Sequence, residues 1–203
     1  MKVYKDNKYY TGIGSRDTPE NILKFMELVG EAMASLGYIG RSGGANGADK
    51  AFWDGFNNCD KLDKKFECYL PWNNFNGLEN SMKHIIDTTR LKNYNEAKEI
   101  MKTIHPSKGN MGRGPTAMHT RNMYQVLGLD LQTPSCVLFC YAKPDNKGSI
   151  QGGTRSAYEL AKRHGIKCYN FYFQPDVDEV KKLLKLGGLN ELQRQWWKHS
   201  KSR

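Results

Sequence analysis

The chain has no uninterrupted run of about 18 apolar residues, which excludes a hydrophobic membrane-spanning helix. Its N-terminus, Met-Lys-Val-Tyr-Lys-Asp-Asn-Lys, lacks the apolar stretch of a secretory signal, so the expected location is the cytosol. There is no CxxC pair. The cysteines number five, an odd count, at positions 59, 68, 136, 140 and 168. Cys68, Cys136, Cys140 and Cys168 lie in apolar, strand-like runs and read as reduced thiols acting as small apolar residues. The histidines at 84, 105, 119, 164 and 199 are scattered without ligand spacing, so no metal site is expected. Both common phosphate-binding fingerprints are missing as well: neither G-x-x-x-x-G-K-[ST] nor G-x-G-x-x-G occurs.

What is present suffices for a core. Hydrophobic residues make up 38% and aromatics 11% of 203 residues, enough for one large domain. The net charge of +10 favours anionic partners such as nucleotides, nucleic acid or phosphoprotein. The plain alternative is a basic surface that keeps the protein in solution. Part of the excess sits at the end, where Arg194, Lys198, Lys201 and Arg203 follow the last acid, Glu191. Trp196 and Trp197 interleave with these charges. Such a segment either stacks on single-stranded nucleic acid or docks a tryptophan on the core. The division read from the sequence is a domain over 1–188 and a basic tail over 189–203.

Strand-like and helix-like segments alternate. Residues 8–13, 38–41, 66–70, 135–141 and 166–173 read as strands. The run 135–141 (Ser-Cys-Val-Leu-Phe-Cys-Tyr) suits a central parallel strand covered on both faces. Ile22, Phe25, Met26, Val29, Met33 and Leu36 recur at helical spacing, with Thr18 as expected N-cap and Gly37 as stop. Further helices are expected over 48–56, from about 155 to His164, and over 176–186. The segment 79–127 shows no strand signal and reads as helical over 82–88, 95–104 and 116–127. The basic, glycine-rich loop 105–115 within it reads as a lid or as ordinary surface. Alternation of this kind implies a mostly parallel sheet with helices on both faces.

Two glycine-rich strand-to-helix turns stand out, Ser42-Gly43-Gly44-Ala45-Asn46-Gly47-Ala48-Asp49 and Gly152-Gly153-Thr154, together with Gly14-Ser15-Arg16 at the end of the first strand. Glycines there let backbone N–H groups approach a ligand, and the helix N-terminus behind them favours an anion. If the strands carrying the two turns are neighbours, both turns line one crevice. Arg16 is placed to recognise phosphate or carboxylate, or to form a surface salt bridge. Asp49 either complements its helix dipole or accepts from a ribose hydroxyl. His119, Arg121 and Asn122 fall within one turn and are not expected to share a face, with Arg121 preferred over His119. Trp72 and Phe75, with Asn73, offer base stacking and hydrogen bonding, or simply pack their loop.

These motifs resemble the SLOG superfamily of Rossmann-like domains. That superfamily includes DNA-processing DprA (Smf) proteins, LOG phosphoribohydrolases and sensor domains of antiviral defence. The resemblance spans about residues 8–173 and rests on Gly14-Ser15-Arg16, the segment 42–49, Arg121-Asn122, and Gly152-Gly153-Thr154 with Ala157. It implies a single Rossmann-like α/β domain with 79–127 as a helical inserted segment, and a nucleotide-type pocket. Gly14, Ser15 and Arg16 would contact the base or sugar side. Ser42, Gly43, Gly44, Gly47 and Asp49 would form a second wall. Gly152, Gly153 and Thr154 would hold phosphate, and Arg121 would be a cationic contact beside Asn122. The LOG motif P-G-G-x-G-T-x-x-E places its glutamate three residues after the threonine; here that position is Ala157. Glu159 stands two residues on, about 200° around the helix.

Three functions follow as expectations. The first is a cytosolic, homo-oligomeric sensor or sequestering protein for a phosphorylated nucleoside, an NAD-derived or a cyclic nucleotide, needing no cofactor. The second is a nucleotide N-glycosidase using Asp49 or Glu159 as general acid/base. The third is a DprA-like binder of single-stranded DNA.

Overall fold

Period-two alternation builds the sheet. In Tyr9–Gly14 (β1), Tyr10 faces one side while Thr11 and Ile13 face the other. In Val137–Tyr141 (β5), Phe139 and Tyr141 face one side and Leu138 and Cys140 the other. Both sides of each strand are buried, which is why these runs are nearly continuous in apolar residues. The remaining strands are Ile39–Ser42 (β2), Phe66–Leu70 (β3), Ile85–Asp87 (β4) and Lys167–Asn170 (β6). Every pairing between these strands is parallel, in the order β4-β3-β2-β1-β5-β6. The computed structural model describes residues 8–185 other than 106, 108, 109, 147 and 148. Trp196, Trp197 and the basic tail lie outside the described residues.

Helices cover both faces of the sheet. Glu20–Ser35 (α1), Ala48–Asn58 (α2) and Gln174–Leu183 (α6) pack on the side of Tyr10 and Phe139. Tyr94–Ile104 (α3), Arg113–Leu127 (α4) and Arg155–Arg163 (α5) pack on the side of Ile13 and Leu138. A third cluster, with Phe56, Phe66, Cys68, Leu70 and Ile85, closes the β2–β4 end. The whole is a single-domain α/β fold of Rossmann-like type. Among the described residues no helix is long and apolar enough to cross a membrane.

The segment expected to be helical over 82–88 instead supplies the edge strand β4 and a 3-10 turn, Thr88–Arg90. Three strand residues give no period, and the lysine and histidine before them mask the apolar pair. Asp87 ends the strand by accepting from the Thr89 N–H at 3.0 Å. The other two helices of 79–127 are present as α3 and α4, the latter starting three residues earlier than expected, at Arg113. Thr18 does not cap α1. Its hydroxyl donates to the Ser15 carbonyl at 2.7 Å, and Pro19 holds the N-cap position without a side-chain bond. β6 stops at Asn170 because the Asn170 amide takes over the pairing, donating to Ala142 O at 2.8 Å and accepting from Ala142 N–H at 3.0 Å.

Arg41 ties the sheet to its far side. It is 2% exposed, its Nε donates to Glu67 at 2.8 Å, its Nη1 donates to Thr133 O at 2.6 Å, and its guanidinium lies 3.7 Å from the Tyr9 ring centroid. Breaking a buried pair strands the remaining charge. Arg41→Ala is expected to cost roughly 2–4 kcal/mol, read as a lower urea midpoint at unchanged slope. Lys50→Ala, which removes the exposed pair with Asp54, should cost less than about 1 kcal/mol. Equal losses in the two variants would refute the tie.

Candidate ligand-binding site

The chain builds outward from β1 to β4, then returns to the other flank of β1 with β5. Ligands in open α/β sheets bind outside the carboxyl ends of the strands at such a switch point. A cavity of about 470 Å³ lies there. Ile13 and Gly14 end β1 at its floor, and Ser15, Arg16 and Asp17 follow as one wall. Ala45 and Asp49 contribute from the β2–α2 turn, and Gln151, Gly152, Gly153 and Thr154 from the turn before α5. α4 supplies Pro115, Met118, His119, Arg121, Asn122 and Gln125. The two glycine turns therefore share one cavity although their strands are not neighbours, because β1 stands between β2 and β5.

The first turn is closed from within. Asp49 is 4% exposed and accepts from the Gly14 N–H at 3.2 Å, with the N–H groups of Ala45 and Gly43 also lowering its pKa. A carboxylate of the chain thus fills the place where an anion was expected. Arg121, 6% exposed, lies 3.5 Å from Asp49, and its Nη1 donates to Gly43 O and to Tyr69 O at 3.3 Å. Among the described residues its Nε is buried without a partner. Burial pushes the Asp49 carboxyl above its usual range, against the pull of Arg121 and the backbone N–H groups. Gly43 is required by packing, since a Cβ there would overlap the Arg121 guanidinium. Gly47 is required by conformation, with φ +79° at the N-cap of α2. Ser42 donates to Gly12 O at 2.6 Å, and Gly44 packs against Leu70, Leu78 and Cys68. Burial holds the Cys68 thiol at about 12, where it is a small apolar group.

The second turn is open. Among the described residues no side chain caps α5, its first turn carries no acid, and a Cβ at Gly152 or Gly153 would meet nothing within 4 Å. Asn122 steadies this turn by donating to Gly153 O at 2.8 Å and to Ser156 Oγ at 3.0 Å. Ser156 Oγ in turn meets His119 Nδ1 at 2.9 Å, and the His105 and His119 rings are 4.2 Å apart. Burial, with His105 and Arg121 adding, pushes the His119 ring down to about 4. Across the cavity Arg16 is exposed, and its turn is pinned by bonds from Ala48 N–H to Ser15 O at 3.2 Å and from Ser15 N–H to Tyr141 O at 2.9 Å.

Of the residues expected from sequence, Gly14, Ser15, Arg16, Asp49, Arg121, Asn122, Gly152, Gly153 and Thr154 line the cavity. Ser42, Gly43, Gly44 and Gly47 stand behind it as support. Trp72 and Phe75 are not in the lining. Phe75 is 5% exposed in the third cluster with Trp72 edge-on at 5.2 Å, so the loop packs on itself. Glu159 is likewise absent from the lining. His119, Arg121 and Asn122 do share a wall, contrary to expectation. With Pro115, Met118 and Gln125 they span an arc of about 160°, one side of α4. That spacing was the readable signal for His119 and Gln125. The end of the 105–115 loop forms the first turn of α4 and carries Pro115 into the wall.

Fold and site together define an α/β domain with a pocket at its topological switch point. Comparison with family models, curated proteins and solved structures finds no match.

Gly43→Ala should cost roughly 1–3 kcal/mol, as overpacking of a buried pair does. Gly153→Ala, into open space, should stay within about 0.5 kcal/mol. Comparable losses in both would contradict the division into a closed and an open turn. His119 sets a pH dependence. Its ring protonates more easily in the unfolded chain, whose ordinary value is 6.5, than in the fold at about 4. Stability is therefore complete above that ordinary value and is lost as pH falls through this window, by roughly 1–2 kcal/mol after allowing for solvent screening. His119→Gln should flatten that share of the decline in chemical denaturation between the two pH values. An unchanged slope would show that His119 does not carry it.

Proposed function

We propose that the cavity binds a nucleotide or a nucleotide-derived small molecule, such as a phosphorylated nucleoside, an NAD-derived or a cyclic nucleotide. The protein acts as a sensor or sequestering protein built on a SLOG-type domain. The open N-terminus of α5 carries this reading. The positive dipole end of this helix favours an anion, Gly152 and Gly153 leave room for a phosphate, and the exposed Arg16 lines the same cavity. The volume of about 470 Å³ falls within the roughly 300–1,000 Å³ of small-molecule sites. Binding is favoured over cleavage because Asp49 is committed to Arg121 and Glu159 is outside the lining, while Asp17, the other carboxylate there, sits exposed at the rim.

The test is a melting screen with AMP, ADP-ribose, NAD, a cyclic dinucleotide and a short single-stranded DNA at two salt concentrations. A ligand at about 100 times its Kd adds roughly 2.7 kcal/mol, a shift of about 5–11 °C for a chain of this size. Gly153→Asp, which sets a carboxylate at the α5 turn, and Arg16→Ala should each abolish the shift and still melt cooperatively near the unliganded wild type. A shift retained in Gly153→Asp would remove phosphate from this turn. No nucleotide shift, but a salt-sensitive one with DNA, would move the function to the basic surface.

A further inference from the structure

Ser156 is 1% exposed, and its hydroxyl has one proton to give and lone pairs to fill. The orientation of Asn122 is fixed chemically: the amide atom beside Gly153 O must be the donor, and that same Nδ2 reaches Ser156 Oγ at 3.0 Å. Ser156 therefore accepts from Asn122. Among the described residues His119 Nδ1, at 2.9 Å, is the acceptor within reach of its proton. An Nδ1 that accepts leaves the imidazole proton on Nε2, the nitrogen remaining to the cavity that His119 lines.

The surroundings keep the ring neutral. The His105 ring packs on it from the end of α3, Arg121 lies on α4 itself, Arg155 opens α5 beside His105, and Arg16 stands on the turn after β1. Asp17 and Asp49 are the acids of the lining, and Asp49 is paired with Arg121. A second proton on His119 would sit among cations and would break the bond from Ser156.

We propose that His119 is a specificity-determining residue, a neutral imidazole that donates its Nε2–H to an acceptor atom of the bound nucleotide, and that Ser156 is the positioning residue that fixes this tautomer. The proposal rests on the nucleotide reading of the cavity. It selects for a carbonyl, a ring nitrogen or a phosphate oxygen at that point and against an amino group or a cation.

Two measurements test it. In the unliganded full chain at neutral pH, imidazole nitrogen NMR, with His119→Gln for assignment, should show an unprotonated Nδ1 and a protonated Nε2. Ser156→Ala should turn this into a tautomer mixture, and Ser156→Thr should restore it. A charged ring, an Nδ1–H tautomer, or an unmixed Nε2–H tautomer in Ser156→Ala overturns the positioning. In calorimetric titration with AMP and ADP-ribose, His119→Gln, whose amide presents an N–H near the Nε2 position, should bind close to wild type. His119→Phe should bind roughly tenfold more weakly. Equal affinity of wild type and His119→Phe overturns the contact. A wild type that binds neither probe overturns the nucleotide reading and the contact with it, a failure visible without any variant, while the tautomer result stands by itself.

Discussion

The buried pair of Asp49 and Arg121 holds the walls of the cavity in register. Arg121 comes from α4 on one face of the sheet and reaches the carbonyl oxygens of Gly43, after β2, and Tyr69, in β3. Asp49 comes from α2 on the other face and takes the N–H of Gly14 at the end of β1. Three strands and two helices thus meet on one ion pair. A desolvated pair is tolerable only where its other donors and acceptors find partners, and here the backbone of Gly14, Gly43 and Tyr69 supplies three. The absence of a Cβ at Gly43 makes the approach possible. With Arg121 anchored, α4 presents Met118, His119, Asn122 and Gln125 along one fixed line.

This arrangement uses up one of two similar turns. The segments 42–49 and 152–154 both follow a strand, carry adjacent glycines and open a helix. In the first, the carboxylate of Asp49 already sits among the N–H groups, so the turn is scaffold. In the second, no side chain of the described residues does so, and Asn122 steadies the backbone by donating to Gly153 O. Similar sequence patterns therefore diverge in use because of one acid placed two residues after Gly47 and one arginine that meets it.

The local features were legible in the sequence. The helical spacing from Ile22 to Met33, the apolar run of β5 and the bounds of β3 all follow from periods contained within each segment. β4 did not, because three residues are too few to show a period. The same distinction governs the site. Arg16 and Gly152-Gly153-Thr154 could be placed because a strand end or helix start puts them at the sheet edge. The commitment of Asp49 to Arg121, and of His119 to Ser156, joins distant segments and depends on which helix lies across which turn. No spacing rule carries that. Trp72 and Phe75 stayed between two readings for a related reason: an aromatic loop at a strand end looks alike whether it faces a ligand or its own neighbour.

The chain carries a formal net charge of +10, yet the cavity does not share it. Arg16 and Arg121 are set against Asp17 and Asp49 in its lining, and His119 is neutral. On the reading proposed above, an anion would be favoured by the dipole end of α5 beside the open backbone of Gly152 and Gly153, and by the Arg16 guanidinium at the rim. Fixed dipoles in a partly enclosed site are screened little by salt, whereas exposed lysines and arginines lose their pull beyond about 8–10 Å at ordinary ionic strength. Recognition of an anion in the cavity, as proposed, would thus depend on this local geometry more than on the net charge of the chain.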